Sequence, residues 1–211
     1  MIKTPLRRSI GKAVMIPAVL IALFAMSGCS GGGTTTTNPP ITQPPTSTTT
    51  SGTMSFPAGK YVTDVLYSDQ FRLAYTVTDD GIISIGIKAK TGGWVAIAIG
   101  SPHGRSDVWI GYVSAGQVTF LDTHDASESG AHPLDTASGG TNDLTNVTGS
   151  ETGGITTIEF KRKLDTGDKY DTPLVTGTNI VVWAIGSSDD INQIHSVVGL
   201  ATFEIRALPS H

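Results

Sequence analysis

Phe71-Arg-Leu-Ala-Tyr-Thr-Val-Thr-Asp-Asp-Gly-Ile-Ile-Ser-Ile-Gly-Ile-Lys-Ala89 decides the fold class. Phe71, Leu73, Tyr75 and Val77 fall on one side of an extended chain, and Ile83, Ile85, Ile87 and Ala89 repeat the pattern after a turn. Alternation with period two over so few residues is the signature of a strand with one buried face. Asp79-Asp80-Gly81 between the two runs supplies the turn chemistry of a hairpin. Near the other end, Ala201, Phe203, Ile205 and Ala207 alternate with Thr202, Glu204 and Arg206. Trp94–Ile99 and Ile180–Ile185 are apolar at nearly every position, which predicts central strands covered on both faces.

Further turn signals stand at Thr91-Gly92-Gly93, Ser114-Ala115-Gly116, Thr166-Gly167-Asp168 and Thr176-Gly177-Thr178. They divide the chain into nine or ten candidate strands, with no amphipathic helix between them. The prediction is an all-β protein, an antiparallel β-sandwich or barrel, over residues 56–208. Asp125 to Gly154 lacks strand periodicity, is rich in Gly, Ser, Thr and Asp, and reads as one long polar loop.

Upstream of this domain the composition changes twice. Residues 1–28 carry Lys3, Arg7, Arg8 and Lys12 before an apolar run, Ala13 to Ala25. That run is too short for a comfortable membrane span and suits a signal segment. Met26-Ser27-Gly28-Cys29 is similar to the lipobox of bacterial lipoproteins, which makes Cys29 the expected lipidation site. Cys29 is also the only cysteine. Residues 29–55 then form a Thr/Pro/Gly-rich stretch, and from 30 to 53 it contains no charge and no aromatic residue. Such a segment cannot bury enough apolar surface to order itself, so it reads as a flexible tether. The expected location is the cell envelope, lipid-anchored, in the periplasm or at the cell surface.

Four of the fourteen basic residues lie in 1–28, so the remainder sets ten against eighteen acidic residues, a net charge near −8. This balance argues against nucleic acid, which demands cations along a phosphate path. Enzymatic motifs are also missing. There is no Gly-x-Ser-x-Gly elbow, no His-x-x-x-His and no Cys-x-x-Cys pair. Asp165, Asp168 and Asp171 make an acidic loop, and most such runs are merely solvated. The chain is therefore expected to be a non-enzymatic module.

Five histidines remain to be placed. His211 is terminal. His124 and His132 border the long polar loop, where a solvated side chain is the ordinary outcome. His103 follows the Gly93–Gly100 apolar run, and His195 stands just before the last strand. Two imidazoles offered from loops at the ends of apolar strands could grip a haem iron from both sides. On chemistry alone each is equally an ordinary hydrogen-bonded histidine.

The order and spacing of several short motifs go further. Gly93-Trp-Val-Ala-Ile-Ala-Ile-Gly100, Ser106-Asp-Val-Trp-Ile-Gly-Tyr-Val113, Phe160-Lys-Arg-Lys-Leu-Asp-Thr-Gly-Asp168, Val182-Trp-Ala-Ile-Gly186, and His195 with Gly199 together resemble the DOMON family, including the cytochrome domain of cellobiose dehydrogenases. The resemblance implies an immunoglobulin-like β-sandwich. In the haem-binding members, haem b sits between a methionine past the Gly-Trp strand and a histidine before the last strand. His195 matches the second position, while the first carries His103 in place of methionine. The implied site is a six-coordinate haem b with His103 and His195 as metal ligands, with His124 or His132 as alternatives to His103. Trp94, Trp109 and Trp183 are candidates for packing near the ring, though each is also a reasonable core tryptophan. No Cys-x-x-Cys-His attachment is present, so the haem would be held non-covalently. The function implied is transfer of single electrons to or from a redox protein outside the cytoplasm. The alternative is a haem-free module on a stalk that recognises carbohydrate or another surface ligand.

Overall fold

A computed structural model describes residues 52–100, 106–126 and 131–206. The signal segment, Cys29, most of the tether, His103 and His211 lie outside the described residues. Ten strands appear, all paired antiparallel, and they form two five-stranded sheets. The first sheet contains β1 (Thr63–Leu66), β2 (Phe71–Val77), β3 (Ile82–Ala89), β7 (Thr145–Thr152) and β8 (Ile155–Lys163), in the order β1-β2-β3-β8-β7. The second contains β4 (Val95–Ile99), β5 (Asp107–Ser114), β6 (Gln117–His124), β9 (Gly177–Ile185) and β10 (Val197–Ile205), in the order β10-β9-β4-β5-β6. The chain changes sheet three times, after β3, β6 and β8. Of the sandwich or barrel that the alternating pattern predicts, the structure is the sandwich, as the family resemblance implies.

The side chains that alternate inward from both sheets meet in one core. Phe71, Leu73, Ile83, Ile85 and Ile87 from the first sheet pack against Val95, Ile97, Trp109, Val181 and Trp183 from the second. Trp183 stacks on Phe71 with ring centroids 4.8 Å apart, and Trp109 meets Phe160 edge-on at 5.2 Å. Burial of each such side chain contributes roughly 1.5–3 kcal/mol, so this shared layer is the main force holding the sheets face to face. Gly199 sits opposite Trp183 in the β9–β10 register, and a β-carbon there would collide with the indole. Ala115-Gly116 closes the β5–β6 hairpin with both residues at positive φ, 49° and 77°. That is the turn whose twist matches two antiparallel strands.

Two expectations need correction. The stretch 125–154 is not one loop: it holds a short 3-10 turn, Thr136–Ser138, and the edge strand β7. β7 escapes a periodicity test because it is polar on both faces, Thr-Asn-Val-Thr-Gly-Ser-Glu-Thr, and pairs with β8 along only one edge. It also carries a register shift between Thr145 and Thr148, with Asn146 at φ 51°. β9, in turn, is not covered on both faces. Val181, Trp183 and Ile185 are buried, but Ile180 is 46% exposed and Val182 and Ala184 are half-buried. β4, the middle strand of its sheet, is buried apart from the half-buried Ala98.

Candidate cofactor-binding site

The outer face of the second sheet carries an apolar row that crosses all five strands. Register places Leu121, Ile110, Ala96, Ala184 and Val198 in one cross-strand row. Val108, Ala98, Val182 and Leu200 make the next. Trp94, Ala96, Val108 and Ile110 form a buried cluster there, with Ala98, Tyr112, Leu121, Ala184 and Ile191 packed around it. The middle of this face is low because Ala96, Ala98 and Ala184 offer only methyl groups. Toward β10 it is open: Val198 is 48% and Leu200 68% exposed. Of the eight strongly exposed large apolar side chains among the described residues, Ile180, Val198 and Leu200 lie on this face and Ile194 stands beside His195. Exposed apolar side chains gathered on one sheet face mark a surface that binds something apolar.

His195 precedes β10, in the connection that follows β9, at the end of the sheet where Val95 pairs with Ile185. Its side chain is exposed and has no hydrogen-bond partner among the described residues. The connection is tied back at both ends. Trp94 N–H donates to Ser188 O at 3.0 Å, Gly186 N–H donates to Trp94 O at 2.8 Å, and Ser196 N–H donates to Ile185 O at 2.8 Å. Gly186 lies directly under Trp94, where a β-carbon would strike the indole. The segment carrying His103 leaves β4 at the opposite end, where Ile99 pairs with Val181. The two register points are four residues apart, about 13 Å along the strands.

The three tryptophans do not share one environment. Trp94 belongs to the outer cluster, whereas Trp109 and Trp183 face the core between the sheets. His124 and His132 are engaged elsewhere. His124 stands opposite Asp107 in the β5–β6 register, on the inward side, where its ring stacks on Tyr170 at 3.9 Å and its Nδ1 lies 2.6 Å from Asp135 Oδ1. His132 Nδ1 lies 2.9 Å from Asp125 Oδ1.

Sequence reading missed a second polar centre, between the sheets near the start of β5. Arg162 of β8 bridges to Asp107 of β5 and, at 3.3 Å, to Asp171, and all three side chains are buried. Asp122 of β6 joins them, so that one carboxylate oxygen from each of Asp107, Asp122 and Asp171 lies within 4.8 Å of the others. Burial pushes the Asp107 carboxyl up to about 7 against the pull of Arg162. Burial likewise raises Asp122 to about 7, opposed by the Asp143 N–H that donates to it at 2.7 Å. Asp171 is also raised by burial. Asp171 is thus not one of a solvated run, as its neighbours in sequence suggest. The signal was parity: Asp107 is in phase with Trp109, Asp122 with Phe120, and Arg162 with Phe160, all on inward faces.

The chain belongs to the DOMON domain family, whose model matches residues 67–186. It is similar to MOXD1 homolog 1 from Drosophila melanogaster, with 32% identity over 90 residues, 42% of this chain. That match spans 13% of the relative's own length. Among solved structures it is similar to the cytochrome domain of cellobiose dehydrogenase from Myriococcum thermophilum. The TM-score is 0.54 with 14% sequence identity, over 68% of this chain and 81% of that one. It is also similar to the cytochrome b domain of pyranose dehydrogenase from Coprinopsis cinerea, with a TM-score of 0.49 and 17% identity, over 65% and 80% of the two chains. The fold is accordingly shared with a cytochrome domain.

Proposed function

We propose that this chain is a b-type cytochrome module that holds haem b against the outer face of its second sheet. The observation that carries the reading is an exposed, unengaged imidazole, His195, beside an apolar sheet face that is open to solvent. The residues suit the group: small side chains at Ala98 and Ala184, apolar walls from Val182, Val198 and Leu200, and a nitrogen donor at the rim. Haem, when bound, supplies reversible one-electron chemistry at its iron.

His195 would offer an imidazole lone pair from one end of the sheet. His103, on the segment that leaves the other end, is proposed as the second donor. Val198 and Leu200 would exclude water from the porphyrin, and each side chain so covered releases on the order of 1–2 kcal/mol. Two imidazoles in place of an imidazole and a thioether would hold the potential lower. Cys29 as lipid anchor and the tether up to residue 55 would keep the domain at the envelope, facing a redox protein outside the cytoplasm. The net negative charge favours a basic partner.

The experiment is one absorbance spectrum of the full chain expressed with haem supply. A low-spin Soret and α-band pattern is expected, lost in His195→Ala, while the haem-free forms of wild type and variant melt at the same temperature, since the side chain is exposed. A colourless wild-type protein, or an unaltered spectrum in the variant, would falsify the proposal. The colourless result would leave a haem-free module for carbohydrate or another surface ligand.

A further inference from the structure

The cluster at Arg162 has no part in the haem reading and stands whether or not haem binds. Its hydrogen bonds divide in a telling way. Asp107 Oδ2 accepts from Arg162 and from the Thr172 N–H at 3.2 Å. Asp122 Oδ2 accepts from the Asp143 N–H, and Asp171 Oδ2 accepts from the Thr166 hydroxyl at 2.5 Å and from Arg162. The other oxygen of each carboxylate, Oδ1 in all three, is buried and has no hydrogen-bond partner. Asp107 is 0% and Asp122 3% exposed. Buried polar atoms are almost always partnered, so one unpartnered oxygen on each of three neighbouring carboxylates leaves room for a further positive group beside Arg162.

We propose that Asp107, Asp122 and Asp171 bind a calcium ion between the two sheets. The donor set is hard oxygen, which suits calcium or magnesium and not the softer transition metals. Oxygens at 2.3–2.6 Å from one ion stand no more than about 5 Å apart, and the three carboxylates meet that limit. Magnesium keeps several waters, for which this buried position between packed sheets is poorly suited, while calcium accepts protein oxygens in irregular number. Charge agrees as well. Three ionised carboxylates and one guanidinium leave two negative charges, and a divalent ion cancels both. The ion would link β5 and β6 of the second sheet to the segment that follows β8 of the first.

The test uses the full chain, stripped with chelator and then titrated. Calcium should bind with a stoichiometry near one by calorimetry and raise the melting temperature. Terbium, a luminescent stand-in, should be sensitised by Trp109, whose ring lies 4.9 Å from the Arg162 guanidinium, and calcium should displace it. Asp122→Asn should weaken binding at least about tenfold, whereas Asp79→Asn, an exposed carboxylate in the β2–β3 turn, should bind as the wild type does. Asp171→Asn serves in place of Asp122→Asn if that variant fails to fold. Wild-type protein that takes up neither ion at millimolar concentration overturns the proposal. So does equal weakening by Asp79→Asn, which would mean diffuse attraction to an acidic surface.

Discussion

The two faces of the second sheet invert each other. Outside, Ile180, Val198 and Leu200 expose apolar surface to water; inside, at one end, Asp107 and Asp122 bury charge against Arg162 of the first sheet. The first forgoes a stabilisation of roughly 25 cal/mol for each Å² left wet, and the second carries the cost of desolvating ions. A fold tolerates either where a ligand restores the balance. The two proposed ligands are opposite in chemistry: a flat apolar body outside, a compact cation within.

The largest effect expected from breaking this contrast comes from the buried side. Arg162→Met removes the guanidinium and leaves three carboxylates facing one another. It should cost about 3–5 kcal/mol in urea unfolding, the usual penalty for breaking a buried pair from one side. A loss below about 1 kcal/mol would mean that Arg162 contributes little to holding the sheets together.

A smaller loss follows from pH, since Arg162 then stays in place. Asp107 and Asp122 titrate near 7 in the folded protein, well above an ordinary aspartate. Between about pH 4 and 7 the folded chain therefore holds protons that the unfolded chain has released, and stability falls as pH rises through that window. In chelator, the melting temperature should drop from pH 5 to pH 8, and the slope should flatten in Asp122→Asn. A melting temperature that rises over the same interval would count against the raised values.

The smallest effect on stability is expected outside the sandwich. Leu200→Asp changes a side chain already 68% exposed and should shift unfolding by no more than about 0.5 kcal/mol. Haem uptake, measured by hemin titration, should nonetheless weaken at least tenfold, about 1.4 kcal/mol. Equal uptake by variant and wild type would move the proposed site off this face.

How much of this was legible in the sequence depended on where each signal lay. Runs such as Phe71–Val77 and Ile82–Ala89 announce themselves because inward and outward positions differ in chemistry. β7 does not, because an edge strand of threonine, serine and asparagine presents no such difference. Ile180–Ile185 misled in the other direction: apolar residues on both sides predict two covered faces, and only packing reveals that one is open. His195 drew notice through the family resemblance and its place before the last strand, but its exposure beside an apolar face is visible only in the structure. The buried acids were written in the parity of their strands, yet Asp107 and Asp171 stand 64 positions apart, and no local pattern brings them together.

β4 is five residues long and separates two environments. Its odd-numbered members, Val95, Ile97 and Ile99, bear on the interior, while Ala96 and Ala98 floor the outer surface. Substitution can therefore be partitioned by numbering alone. Odd positions pack between the sheets, and even positions lie toward the face proposed to meet haem. On that proposal, one or two methyl-sized edits at even positions would change what the outer face can hold without disturbing the layer behind it.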